Sequence, residues 1–175
     1  MKEVMKMCGL DEKVAEMYPF QLSGGMARRV LISTAFMEDR KLVVADEPTP
    51  GLDIDLAAET LKNFRKLADM GCGVMLITHD IDLALEVADR VAVFYAGTTV
   101  EICSAKDFKN GKESLRHPYS KAFIDALPQN GFKPYAGNQP YAGALPEGCL
   151  FYDRCPYRTS ECRKDIPMRS LREGK

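Results

Sequence analysis

KLVVADEPTPGLDIDLAAETLKNFRKLADMGCGVMLITHD, residues 41–80, decides the fold. It opens with KLVVAD (41–46), a short apolar run ending in an acid, the pattern of a buried parallel strand. EPTPGLD (47–53) carries two prolines and a glycine and must be a loop. Residues 55–69 adopt a helical period through Ala57, Leu61, Phe64 and Leu67, until Gly71 and Gly73 stop it. GVMLITH (73–79) is a second buried strand.

Working outward, IDLALEVA (81–88) reads as a helix, and RVAVFYA (90–96) and TTVEIC (98–103) flank Gly97 as a hairpin. On the other side, residues 1–18 read as helical and Pro19 breaks them. Ser23 is a plausible N-cap for a helix of roughly residues 24–38, with Ala27, Val30, Leu31 and Thr34 in period. The order strand–helix–strand–helix–strand predicts an α/β layered core with a parallel sheet and right-handed crossovers. Ligands in such sheets sit at the carboxyl ends of the strands, so Asp46 and His79 are expected to face one crevice. After about residue 110, proline, glycine and tyrosine become frequent, and 127–148 reads as a meandering loop.

Composition narrows the function classes. The chain has 175 residues, about one domain's worth, and 46% of them are apolar, ample for a core. Twenty-four basic residues against 25 acidic give a net charge of −1 and no general reason to expect nucleic acid. The longest apolar stretches, such as 42–45 and 73–77, are far too short to cross a bilayer. No secretion signal is visible at the start. A cytosolic chain is the default expectation, with six cysteines that are reduced thiols or metal ligands.

Hydrolysing a nucleoside triphosphate requires a phosphate cradle, a held Mg2+ ion, an activated water and stabilised γ-phosphate charge. Asp46, ending its strand, offers a hard oxygen ligand to Mg2+. Glu47, next to it, can accept a proton from an attacking water. His79, following the second strand, can hydrogen-bond the γ-phosphate and that water. LSGGM (22–26) precedes a helix, where free N–H groups and the helix dipole favour an anion and Ser23 adds a hydroxyl. Each feature alone has a bland counterpart: two solvated carboxylates, a structural histidine, an ordinary capped helix.

Together and in order, LSGGM, LVVADEP, GLD and LITHD resemble the signature set of an ABC ATPase. The resemblance covers roughly residues 15–105. It implies ATP and Mg2+ as cofactors. It assigns Gln21, Ser23, Gly24 and Gly25 to the signature loop, Asp46 to the Walker B acid, Glu47 to the catalytic base, Asp53 to the D-loop and His79 to the switch histidine. HPYSKAFIDALP (117–128) and LPEGCLFYDRCPYRTSEC (145–162) are similar to the C-terminal extension of oligopeptide, dipeptide and nickel importer ATPases, with its GCxFxxRCP loop. The domain expectation is a partial ABC ATPase domain over 1–110 and an importer-type extension over 111–175.

Cys149, Cys155 and Cys162 lack the tight CxxC spacing of a zinc ribbon. Relatives of the kind this chain resembles can carry an iron–sulfur cluster, which normally takes four thiolates. The bland alternative is three reduced thiols without metal.

No G-x-x-x-x-G-K-[ST] stretch occurs in the 175 residues. The expectation is therefore a P-loop NTPase fold lacking its N-terminal strands, truncated so that Met1 begins inside the helical subdomain. In the family this resembles, two ATPase domains pack head to tail, and each ATP lies between the P-loop of one and the signature loop of the other. The implied partners are a second ATPase subunit, membrane permease subunits and, indirectly, an extracellular solute-binding protein. The implied location is the cytoplasmic face of the membrane. The competing expectation is a non-hydrolysing interaction or metal-binding module that docks on a partner ATPase.

Overall fold

The computed structural model describes residues 2–37 and 40–170. The chain forms two compact units, residues 1–88 and 89–175.

In the first unit, α1 (Lys2–Met7) is followed by a 3-10 turn at Glu12–Glu16 and by α2 (Gly24–Ser33). Residues 1–18 are thus not one helix: Gly9 turns the chain at φ 65°. That conformation is open without penalty only to a residue lacking a Cβ. Residues 1 and 38 of the two expected helices lie outside the described residues. The strand β1 (Leu42–Asp46), the helix α3 (Ile54–Asp69), the strand β2 (Gly73–Ile77) and the helix α4 (Ile81–Val87) follow in the order the sequence predicts, with β2 ending two residues short of the expected 79.

β1 and β2 pair in parallel, with Leu42 opposite Gly73 and Asp46 opposite Ile77. Val43 and Ala45 bury against Leu61, Phe64 and Leu67 of α3, with Val74 and Leu76 of β2 packed alongside. The expectation of fully buried strands needs correction. Leu42, Val44, Met75 and Ile77 face out of the sheet and are 47–59% exposed. Strands apolar on both faces call for a layer on each side; among the described residues the packed helices cover one. A second cluster joins Met5, Cys8, Leu10 and Val14 to Met26 and Val30 of α2. Buried Asn63 of α3 fastens it by donating to the Met7 carbonyl at 2.9 Å.

The second unit begins with β3 (Arg90–Tyr95) and β4 (Thr98–Ser104), which pair antiparallel. Ala96 and Gly97 both have positive φ, at 49° and 83°, as a two-residue hairpin turn requires. This turn gives β3 its local partner, so the third strand joins a hairpin sheet of two strands, separate from the parallel pair. Short α5 (Ala105–Lys109) and α6 (Pro118–Ala126) pack beside it. Among the described residues, the Pro- and Gly-rich stretch after residue 127 holds only brief 3-10 turns, as its composition predicts.

What holds that stretch is an aromatic cage. Phe151, 1% exposed, meets Tyr95, Tyr119 and Tyr135 at ring distances of 5.3, 5.6 and 5.7 Å. Arg154 lies over the rings of Tyr95, Tyr135 and Phe151 at 5.4–5.8 Å. Its guanidinium donates to the carbonyls of Tyr135 and Ala136 at 3.0 Å, which pins the loop across the cage. Glu101, buried in β4, accepts from the backbone N–H groups of Arg116 and His117 and seats the start of α6.

Candidate functional site

The parallel register builds the site. Because Asp46 lies opposite Ile77, the chain leaves both strands at the same end. Glu47 N–H donates to the Ile77 carbonyl at 2.8 Å, so residues 47 and 78–79 emerge side by side. Glu47 Oε1 then lies 2.7 Å from His79 Nδ1, and Thr78 Oγ1 donates to Glu47 Oε2 at 3.4 Å. Asp46 stands exposed at the end of β1, one residue before the pair.

Glu47 adopts φ 44°, a left-handed conformation that costs a side-chain-bearing residue about 1–2 kcal/mol. The turn directs its carboxylate across the strand ends toward His79. The hydrogen bond from His79 holds the Glu47 carboxyl below its ordinary range. The same bond raises the His79 imidazole above its own. Glu47 is thereby a carboxylate at neutral pH, able to accept a proton.

The signature-type loop is built differently. Ser23 is the N-cap of α2, its Oγ accepting from Met26 N–H at 3.3 Å. The hydroxyl proton remains free to donate. Gly24 borders open space, so its backbone can be approached closely. Gln21 uses its Oε1 to accept from Tyr18 N–H at 2.8 Å, which leaves its NH2 group as a donor. Asp53 is the N-cap of α3, accepting from Leu56 N–H at 3.0 Å.

Two contacts tie these elements together. Arg28 of α2 donates to the Pro48 carbonyl at 3.2 Å, and a Cβ at Gly25 would lie 3.6 Å from the Gly51 carbonyl oxygen. The start of α2 therefore meets the 47–53 loop at Pro48 and Gly51, not at the Glu47–His79 pair. A cavity of about 330 Å3 lies beside His79, lined among others by Thr49, Gly51, Leu52, Ile54 and Asp80. Sequence reasoning missed Thr78 and Arg28. Thr78 carries a signal, since it precedes His79; the reach of Arg28 to a carbonyl twenty residues on carries none.

For Mg2+, the donor chemistry fits: Asp46 offers exposed hard oxygens beside the Glu47–His79 pair. For the triphosphate, the fit is partial, because no phosphate-cradling G-x-x-x-x-G-K-[ST] stretch lies in the 175 residues. The iron–sulfur expectation for Cys149, Cys155 and Cys162 gains no support. Among the described residues, no three His, Cys, Asp or Glu side chains are arranged to hold a metal ion. A cluster needs converging thiolates, usually four. Cys162 Sγ is 3.5 Å from Thr159 Oγ1, and the Cys149 thiol is pushed up chiefly by burial, with smaller contributions from Cys162 and Cys155.

Residues 1–50 match the family "ABC transporter". The fold is similar to a dimeric, post-hydrolysis ATP-binding cassette, MJ0796, bound to ADP and Pi, at TM-score 0.54 and 31% identity, covering 59% of this chain and 44% of that one. The chain is similar to the ATP-binding proteins of ABC transporters.

Residues 100–162 match "Oligopeptide/dipeptide transporter, C-terminal region". The chain is 39% identical to the dipeptide transport ATP-binding protein DppD of Haemophilus influenzae, over 95% of this chain and 52% of that protein. It is 34% identical to the oligopeptide transport ATP-binding protein OppD of Salmonella typhimurium, over 93% of this chain and 50% of that protein. The chain spans about half the length of the curated relatives it matches.

Proposed function

We propose that this chain serves as an ATP-binding subunit of an ABC importer, coupling ATP binding and hydrolysis to uptake of oligopeptides or dipeptides. The observation that carries the reading is the Glu47–His79 hydrogen bond of 2.7 Å at the carboxyl ends of a parallel strand pair. Glu47 accepts the proton of the attacking water, and His79 orients that water and the γ-phosphate. Asp46 holds Mg2+ directly or through water; the ion, when bound, neutralises phosphate charge. Ser23, Gly24, Gly25, Gln21 and Asp53 serve the nucleotide of a second subunit packed head to tail. The separation of α2 from the Glu47–His79 pair supports this division, since one subunit then completes its partner's site.

Residues 1–110 carry the ATPase elements in this reading, and 111–175 form the importer-type extension. Membrane permease subunits, served by an extracellular solute-binding protein, complete the assembly at the cytoplasmic face of the membrane. Among the described residues, no helix is long and apolar enough to cross a membrane.

The experiment is phosphate release from ATP. The 175-residue chain alone is expected to show none, because the P-loop amides and lysine that compensate triphosphate charge are not among its residues. Joined to the N-terminal half of the Haemophilus influenzae relative, it is expected to turn over ATP, and Glu47→Gln is expected to lower that rate by roughly 100-fold or more. A joined protein that binds ATP yet does not hydrolyse it would leave the second reading, a non-hydrolysing docking module, and a rate unchanged by Glu47→Gln would overturn the role given to Glu47.

A further inference from the structure

Three consecutive residues at the end of β2, Ile77, Thr78 and His79, hold Glu47. The Ile77 carbonyl accepts from Glu47 N–H at 2.8 Å, which fixes the main chain. The two side chains that follow take one carboxylate oxygen each: His79 Nδ1 lies 2.7 Å from Oε1, and Thr78 Oγ1 donates to Oε2 at 3.4 Å. Such a hold is needed because Glu47 sits at φ 44°. A side-chain-bearing residue keeps that conformation only where its neighbours over-determine it.

The two side-chain contacts differ in firmness. The His79 side chain is 81% exposed, so no packing fixes the imidazole. Thr78 is half-buried, and its hydroxyl is itself anchored. Asp80 N–H donates to Thr78 Oγ1 at 3.0 Å, and Asp80 Oδ1 accepts from Leu83 N–H at 3.3 Å as the N-cap of α4. A hydroxyl has one proton and two lone pairs. With the Asp80 N–H on a lone pair, the proton serves the carboxylate. The β-branch of threonine stiffens χ1 and keeps the hydroxyl on this line. At 3.4 Å the bond to Glu47 has slack, which a bound reactant takes up in many active sites.

We propose that Thr78 is a positioning residue for Glu47: its hydroxyl holds Oε2, so that Oε1 stays turned toward His79 and the attacking water. This inference rests on the ATPase reading above. In that reading the water's proton passes to Glu47 Oε1, and Thr78 acts only through the carboxylate.

The test measures phosphate release by the joined protein over a range of ATP concentrations, with each variant checked as folded by circular dichroism. Thr78→Val keeps the volume and the branch but has no hydroxyl. It is expected to lower kcat roughly tenfold, the share of a hydrogen bond to a charged group, while KM for ATP stays within about twofold. Thr78→Ser restores the hydroxyl and is expected to recover most of the rate. In a Glu47→Gln background, Thr78→Val is expected to lower the rate no further, because the two residues act as one unit. If the valine variant does not fold, Thr78→Ala takes its place in every comparison. A native rate in Thr78→Val, while Glu47→Gln loses its rate, would overturn the positioning role and leave the ATPase reading standing. Equal loss in Thr78→Ser would assign the effect to packing, and a full further loss on top of Glu47→Gln would assign it to the α4 cap; either result overturns the role. A joined protein that does not hydrolyse ATP, or whose rate Glu47→Gln leaves unchanged, would overturn the ATPase reading and this inference with it.

Discussion

The two units of the chain reach stability by different routes. The first buries aliphatic side chains in helical and strand period: Val43 and Ala45 from β1 against Leu61, Phe64 and Leu67 from α3. The second has little periodic structure after residue 127 among its described residues and is held by rings and one guanidinium, with Phe151 meeting Tyr95, Tyr119 and Tyr135, and Arg154 over the rings of Tyr95, Tyr135 and Phe151. Regular elements satisfy their own backbone groups and need only an apolar face to pack. An irregular loop has no such ladder, so a side chain must reach its carbonyls, as Arg154 does at Tyr135 and Ala136.

That contrast can be broken by substitution. Phe151→Ala is expected to destabilise the second unit by about 3–5 kcal/mol, because four rings lose their common partner. Phe64→Ala should cost a similar amount, confined to the first unit. Hydrogen exchange resolved by peptide separates the two; equal loss of protection across 1–170 in either variant would mean that the units do not unfold separately. Arg154→Lys comes next, at roughly 1–3 kcal/mol by urea unfolding, since lysine keeps the charge but neither the fork nor the stacking plane. An unchanged midpoint would show that the charge alone matters.

The pH responses should also differ between the units. Burial depresses the His117 imidazole below its ordinary value, and its Nδ1 accepts from Tyr119 N–H at 3.1 Å, which requires the unprotonated ring. The second unit's stability from this group is thus fully present above the unfolded histidine value and lost as pH falls through the folded one. His79 goes the other way. Its value is raised by the Glu47 hydrogen bond, so its contribution is present below the unfolded value and lost as pH rises through the folded one. Proton NMR titration should find His117 below and His79 above the ordinary range. The smallest expected effect is that Glu47→Gln returns His79 to the ordinary range with little change in melting temperature, the pair being solvent-exposed. A His79 value unmoved by that substitution would sink the 2.7 Å contact in solution.

Much of the first unit was legible because its signals are local. Ser23 caps α2 as its residue type and place predict, and the apolar period of 55–69 gives α3 within a residue at its start. The site was legible as a list of letters in order: Asp46, Glu47 and His79 end strands that the sequence places. Their meeting was not, because it depends on register: a slip of one residue between β1 and β2 would part Glu47 from His79. The positive φ of Glu47, the hydroxyl of Thr78 and the reach of Arg28 to Pro48 depend on neighbours distant in the chain. The cage around Phe151 was illegible for the same reason, since Tyr95 and Arg154 meet across 59 positions.

By itself, the sequence determined the run of strands and helices from 42 to 103, which acids and histidine stand at or just past strand ends, and which family motifs occur. Those are properties of short windows, where period, caps and turn residues act within a few positions. Only the tertiary structure decided that the third strand stays out of the parallel sheet, that among the described residues one face of the parallel pair is left uncovered, and that the backbones of Cys149 and Cys162 bond each other. Those outcomes are set by competition among distant packing partners, and no local window contains both competitors.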